Sequence, residues 1–119
     1  MTTNHTPGPW SLETVRTSCG VCHKVGPFPG RREDDKPRHA CLYADYPSES
    51  NPADQELLAN ARLIAAAPEL LEAGEEAAGS LSAAMEIMTR LGYGRTANVM
   101  QAYHDALVAA ISKAKGEQQ

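Results

Sequence analysis

The sequence has few aromatic residues and no long apolar run. Phe, Trp and Tyr make up 5% of the 119 residues, although hydrophobic residues make up 42%. Much of that apolar content is alanine, which buries little surface per residue, so the core of a monomer would be thin. We therefore expect a homo-oligomer in which a partner chain completes the burial. No apolar run approaches the ~20 residues that span a bilayer, which excludes a transmembrane helix.

The sequence also lacks an excess of positive charge and an N-terminal secretory signal. The net charge is -4, and nucleic-acid-binding faces need a dense basic patch, so we do not expect nucleic acid as a partner. Residues Met1 to Pro9 have neither the basic start nor the apolar stretch of a signal peptide. We therefore expect a cytoplasmic protein without membrane contact. Its three cysteines are expected as thiols or thiolates, because that compartment keeps disulfides reduced.

The composition changes abruptly near Pro52. Seven of the eight prolines, all three cysteines and three of the four histidines precede Ala53. Closely spaced prolines and glycines leave room for short strands but not for helices. Residues 10–16, 21–28 and 39–46 are the candidates, and they predict an antiparallel meander of two or three strands. The third run is apolar on both faces, which is typical of a central strand.

The second half has helical periodicity. Residues 52–67 form a short predicted helix that begins at a proline, and Pro68 interrupts the pattern. Residues 68–91 and 96–115 each carry one apolar stripe, and Gly92 lies between them as a C-cap. A short connection makes these two helices antiparallel. The sequence therefore predicts one α+β domain over residues 1–119, in which a strand-rich segment, residues 1–51, packs on the helices.

Two phrases in the sequence resemble a known family. The phrases are His5-Thr6-Pro7-Gly8-Pro9-Trp10 and the alanine-rich residues 59–73, which read Asn-Ala-Arg-Leu-Ile-Ala-Ala-Ala-Pro-Glu-Leu-Leu-Glu-Ala after Ala59. In that order they are similar to a widespread group of small phage and prophage accessory proteins. The resemblance implies a phage origin, and such proteins frequently bind host factors, including components of antiviral defence. The middle segment with its cysteines and histidines departs from the group.

The middle segment contains a candidate zinc site. Cys19 and Cys22 have the Cys-x-x-Cys spacing that directs two thiolates at one point, which is half of a tetrahedral zinc shell. Cys41, together with His39 or His23, could complete the shell. We therefore predict zinc as the one cofactor, with Cys19, Cys22, His39 and Cys41 as its ligands. The alternative is three reduced cysteines in a small sheet.

Other chemistries of the same residues fit less well. Cys19-Gly20-Val21-Cys22-His23 matches the c-type haem attachment phrase, but that attachment takes place outside the cytoplasm. A thioredoxin-like redox pair needs a helix directly after the motif, and Val25 to Gly30 contains too many glycines and prolines. Cys22, His39 and Asp45 supply the residue types of a nucleophilic triad without any recognisable motif. We therefore expect a protein that is not an enzyme.

Four further residues are candidate contacts for a partner or ligand, namely Trp10, Arg62, Tyr93 and Arg95. Exposed aromatic and arginine side chains are frequent in binding sites. We expect a binding protein that engages a host protein and blunts host antiviral defence. The alternative is an oligomer that sequesters a small anionic ligand, such as a signalling nucleotide, through arginines such as Arg62 or Arg95.

Overall fold

The computed structural model describes residues 5–117, so part of the polar start discussed above lies outside the described residues. Three strands, β1 (Ser11–Arg16), β2 (Gly20–Phe28) and β3 (Arg38–Asp45), precede three helices. The helices are α1 (Pro52–Ala65), α2 (Ala67–Arg90) and α3 (Gly94–Ala114). The predicted α+β class is confirmed. Within residues 5–117, no helix is long and apolar enough to cross a membrane.

The contacts of the chain group into two compact units. Residues 6–68 form the sheet unit, which contains all three strands and α1, and residues 69–117 form the helix-pair unit. Each unit is described by itself below. The expectation of one domain over residues 1–119 stays a prediction.

The three strands form an antiparallel sheet in the order β1-β2-β3. The expectation that the third strand lies in the centre is therefore wrong, because β2 pairs with both neighbours. Consecutive strands with short connections usually pair in sequence order. Of the three strands, only β2 contains buried residues, and they alternate with half-buried ones along its middle. The β1–β2 turn is closed by Thr17, whose backbone N–H donates to the Gly20 carbonyl at 2.8 Å.

The core of the sheet unit lies between β2 and α1. Val21, His23 and Val25 alternate along β2 with exposures of 6%, 6% and 0%, so all three side chains lie on the face that α1 covers. On α1, Ala61 is fully buried at 0%. Its small side chain allows close approach of the helix to the sheet, which fixes the position of α1 over the central strand.

The first helix begins at the predicted proline and ends two residues before the predicted bound of residue 67. The Asn51 side chain accepts a hydrogen bond from the Ala53 N–H at 3.0 Å, and Pro52 occupies the first turn, where it needs no hydrogen-bonded N–H. The helix ends at Ala65, and α2 starts at Ala67 directly before Pro68. The predicted break at this proline is confirmed.

The two long helices form the predicted antiparallel pair. Side chains of Leu107 and Ile111 lie over Gly74, where an added Cβ would be 3.6 Å from Leu107 Cδ1. Most of the buried or half-buried residues of both helices recur at alternating intervals of three and four, which is the spacing of a two-helix seam. We define the seam by these residues: Leu71, Gly74, Ala78, Leu81, Met85 and Met88 of α2, and Ala97, Met100, His104, Leu107 and Ile111 of α3.

A polar edge flanks one side of this seam. Lys115 Nζ lies 2.7 Å from Glu75 Oε1 across the pair, and this contact raises the pKa of Lys115. Both groups are partly exposed, so solvent screens the pair and it contributes little to stability. Among seam residues only Ala97 is buried, at 8% exposure. The helix pair therefore has a thin core of its own.

Candidate functional site

The outer face of the sheet, opposite α1, carries the disulfide Cys22–Cys41, which joins β2 to β3. The Cα atoms of the two cysteines are 6.0 Å apart, a usual separation for bonded cysteines. Cys41 pairs with Lys24 in the register, so the two cysteines are diagonal neighbours on one face. The expectation of three free thiols is therefore wrong for these two residues, and Cys19 alone is free and exposed.

The four predicted zinc ligands do not share one shell. Cys19 lies in the β1–β2 turn, whereas His39 lies near Gly26 at the opposite end of β2. Six or so strand positions separate those ends, which corresponds to about 20 Å. Among residues 5–117, no group of three or more His, Cys, Asp or Glu side chains is arranged to hold a metal ion. Zinc binding stays a prediction that metal analysis of the reduced protein tests.

A cluster around Tyr43 occupies the turn end of the same outer face. The Tyr43 ring covers Gly20, since a Cβ on that glycine would collide with the phenol. A hydrogen bond to Asp45 raises the pKa of Tyr43 to about 12, with smaller contributions from desolvation and from Cys19. Gly20 is thus the residue that allows the phenol to reach Asp45.

A cleft opens on the other face, where the turn end of the sheet meets the start of α1. Its volume is about 160 Å³, and both apolar and charged side chains line it. The lining residues come from all parts of the sheet unit: Arg16, Val21, His23, Ala44, Pro47, Ser48, Glu49, Asp54, Gln55 and Leu58.

The loop between β3 and α1 is held against the cleft by polar contacts. The Ser48 N–H donates to Asp54 Oδ2 at 2.8 Å, and Gln55 Nε2 donates to the Glu49 carbonyl at 2.9 Å. Both contacts join loop residues to the first turns of α1. The cleft therefore exists in the free chain with its rim already ordered.

His23 forms the floor of the cleft. Its Nδ1 lies 2.9 Å from Thr14 Oγ1 on the neighbouring strand, where the register pairs these two residues. Within residues 5–117, no fully buried side-chain nitrogen or oxygen lacks a hydrogen-bond partner. His23 is 6% exposed and is one of the residues that line the cleft.

Tyr46 stands beside this cleft, between the end of β3 and the lining residue Pro47. It is 78% exposed, and its φ of 44° is the one positive value among the described non-glycine residues. Its backbone N–H donates to the Cys19 carbonyl at 2.9 Å, which holds this uncommon conformation. Tyrosine is frequent among contact residues, so this exposed side chain on a held backbone is a candidate contact.

The four predicted contact residues are divided between the two units. In the sheet unit, Trp10 is half-buried, packs edge-to-face on Phe28 at 5.2 Å and donates from Nε1 to the Thr6 carbonyl. Arg62 is exposed in the last turn of α1 and makes no ion pair with a described residue. In the helix-pair unit, Tyr93 (59% exposed) and the exposed Arg95 lie at the start of α3. Neither unit by itself therefore contains all four.

The cleft residue His23 and the neighbouring Tyr46 were not among the predicted contacts. Val21, His23 and Val25 follow a period-two pattern in the sequence. That pattern predicts that His23 lies on the buried face of the strand together with the two valines. For Tyr46 the sequence carries only Tyr-Pro-Ser after a strand, which indicates a turn and not its backbone conformation.

A comparison with protein families identifies the origin of the chain. A family model described as Salmonella phage P22 protein Y8K6 matches residues 1–118. The chain belongs to this family. The predicted membership of a phage protein family is thereby confirmed. No curated protein and no solved structure matches the chain.

Proposed function

We propose that this phage-family protein acts without catalysis, by binding a host protein at the cleft beside Tyr46, and that its target belongs to host antiviral defence. The observation that carries the proposal is the size of the cleft. Small-molecule sites usually measure about 300–1,000 Å³, whereas this cleft measures about 160 Å³. A cavity of about 150 Å³ holds one benzene ring, so the cleft fits one aromatic or branched side chain.

The character of the rim supports a protein partner. Leu58 and Ala44 supply apolar walls, while Arg16 and Asp54 place both signs of charge at the opening. Protein interfaces combine one buried anchor side chain with a polar rim of this kind. Tyr46 adds an aromatic surface whose backbone is already held in place, so little conformational entropy is lost on binding.

The alternative, sequestration of a small anionic ligand between protomers, lacks a comparable observation. The cleft carries acidic residues as well as Arg16, and a nucleotide is larger than the cleft. The arginines that this alternative uses, Arg62 and Arg95, are both exposed and lie in different units. We therefore retain it only as an arm of the test.

The test fills the cleft. Gln55→Trp places a large ring at the opening from an exposed position on α1, and Glu56→Trp places the same ring one residue further along the same helix, outside the lining. Each variant and the unchanged protein are expressed in host cells and recovered by affinity purification. We expect one host protein to co-purify with the unchanged chain and with Glu56→Trp, and its recovery to fall at least about tenfold with Gln55→Trp.

The same three proteins are then compared for phage plating on hosts with and without the defence system that contains the target. Protection by the unchanged chain and by Glu56→Trp alone would support the proposal. Equal recovery with both tryptophan variants would reject the cleft as the docking site. A rise in melting temperature with cyclic or linear nucleotides, with no co-purifying protein, would favour the alternative.

A further inference from the structure

One side of the helix pair is apolar and exposed. The positions just before each seam residue lie on one flank of the seam, and on α2 they are uncharged throughout. Leu70 and Ile87 among them are 55% and 54% exposed, and Leu91, directly after the end of α2, is 65% exposed. The intervening positions are small: Ala73, Ala77, Ser80 and Ala84.

The third helix continues the same surface. Its positions just before the seam include Val99 and Tyr103, which are 57% and 69% exposed, together with Ala106 and Ala110. When two helices pack antiparallel, the residues just before the seam residues of one helix lie on the same side of the pair as those of the other helix. Glu75 directly follows a seam residue, and Lys115 directly follows the position that continues the seam spacing. Their contact shows that the positions just after the seam lie together on the opposite side. We call the apolar side the uncharged face.

The uncharged face is large enough for a specific interface. Residues 70–91 of α2 span about 30 Å at 1.5 Å per residue, and two adjacent helices are about 20 Å wide. Two such faces in contact would bury roughly 1,200 Å² in total, which is the lower limit of stable interfaces. A helix pair with only one buried seam residue gains the missing layer from such a contact.

The shape of the face selects its occupant. Ile87, Leu91 and Val99 make the half near the α2–α3 connection bulky, whereas Ala73, Ala77, Ala106 and Ala110 make the other half shallow except for Leu70 at its end. A two-fold axis in the interface, perpendicular to the helices, places the bulky half of one copy on the shallow half of the other. The absence of charge on the face also spares two chains of net charge -4 from repulsion there.

We propose that the uncharged face binds a second copy of this chain, so that two helix pairs form a four-helix bundle with opposite ends together. The geometry is that of an isologous dimer, in which both copies use the same face and any contact of one residue with another occurs twice, related by the two-fold axis. Ser80 of α2 and Tyr103 of α3 lie midway along the face. Each of these two residues therefore lies close to its own copy in the dimer.

The first test compares two valines of the same helix. Val99 lies on the uncharged face, while Val108, 40% exposed, lies on the side marked by Lys115. Sedimentation equilibrium should give twice the chain mass of 12.8 kDa for the unchanged protein and for Val108→Glu. Val99→Glu should raise the dissociation constant more than about 100-fold, because two carboxylates enter one interface.

A monomeric unchanged protein would overturn the proposal and leave the face to another occupant. Equal dissociation by both glutamate variants, or by neither, would also overturn it. A second measurement guards against unfolding of Val99→Glu. In a Cys19→Ala background, Ser80→Cys should form a covalent dimer on mild oxidation, whereas Ser82→Cys on the polar side should not. Equal cross-linking of the two would contradict the arrangement.

Discussion

Tyr43 shows how one side chain organises the turn end of the sheet. Its ring lies over Gly20, and its hydroxyl interacts with Asp45 and lies near Cys19. Cys19 and Gly20 are far from Tyr43 in the sequence, whereas Asp45 is two positions away. The contact depends on the pairing of Gly20 with Asp45 between β2 and β3. A glycine at this position is required because any side chain would displace the phenol.

Removing the Asp45 charge should change how Tyr43 titrates. The hydrogen bond to Asp45 raises the pKa of Tyr43 to about 12, so Asp45→Asn should bring it toward 10, the ordinary value. A phenol absorbance titration measures the shift, and Tyr43→Phe identifies the step that belongs to this residue. An unchanged step near pH 12 in Asp45→Asn would contradict the assignment.

The same shift predicts a pH dependence of stability. The pKa of Tyr43 is higher in the folded chain than in the unfolded chain, so the folded state keeps its proton longer. The stabilisation is fully present below pH 10 and is lost as pH rises toward 12. Urea unfolding across this range should show a steeper decline for the unchanged protein than for Tyr43→Phe.

At the scale of the elements, local signals placed the helices well. Asn51, Pro52, Pro68 and Gly92 each act through their own backbone or nearest neighbours, and the structure places helix ends at or beside all of them. The strands also lie within a residue of their predicted bounds. Their order was not readable in the same way, because the apolar composition of β3 does not reveal that outer-face residues such as Cys41 and Tyr43 are exposed.

Two glycines within α2 lead to a stability prediction. An added Cβ at Gly79 meets nothing within 4 Å, and at Gly74 it meets Leu107 and Ile111 at 3.6–3.8 Å, which is ordinary contact. Alanine is the better helix former, so Gly79→Ala and Gly74→Ala should each raise the free energy of unfolding by about 0.5–1 kcal/mol.

Gly92→Ala is the matched contrast, because its φ of 85° is strained for any residue with a Cβ. This variant should lower the free energy of unfolding by about 1 kcal/mol. Urea denaturation followed by circular dichroism at 222 nm measures all three. If Gly79→Ala destabilised the protein, the helix would be irregular at that point and the prediction would fail.

At the scale of the whole molecule, the disulfide is the strongest single constraint on the sheet unit. Cys22 and Cys41 are 19 residues apart, and closing a loop of that length typically adds roughly 3 kcal/mol. Dithiothreitol should therefore lower the free energy of unfolding of the unchanged protein by about 2–4 kcal/mol.

The exposed Cys19 provides the control for this prediction. Cys19→Ala should keep the sensitivity to dithiothreitol, while the double variant Cys22→Ala/Cys41→Ala should lose it. Thiol counting before and after reduction shows whether the bond is present in the purified protein. Three titratable thiols without reductant would contradict the disulfide.

The sequence by itself determined the α+β class, the helix boundaries and the antiparallel helix pair, because these follow from periodicity, caps and breakers that act within a few residues. Only the tertiary structure decided which cysteines meet, that β2 is central and that a cleft forms beside Tyr46. These features depend on strand register and on the packing of α1 against the sheet, which bring together residues far apart in the chain. A spacing such as Cys-x-x-Cys indicates that two residues could bind the same metal ion. The register of the strands decides which residue lies beside each cysteine.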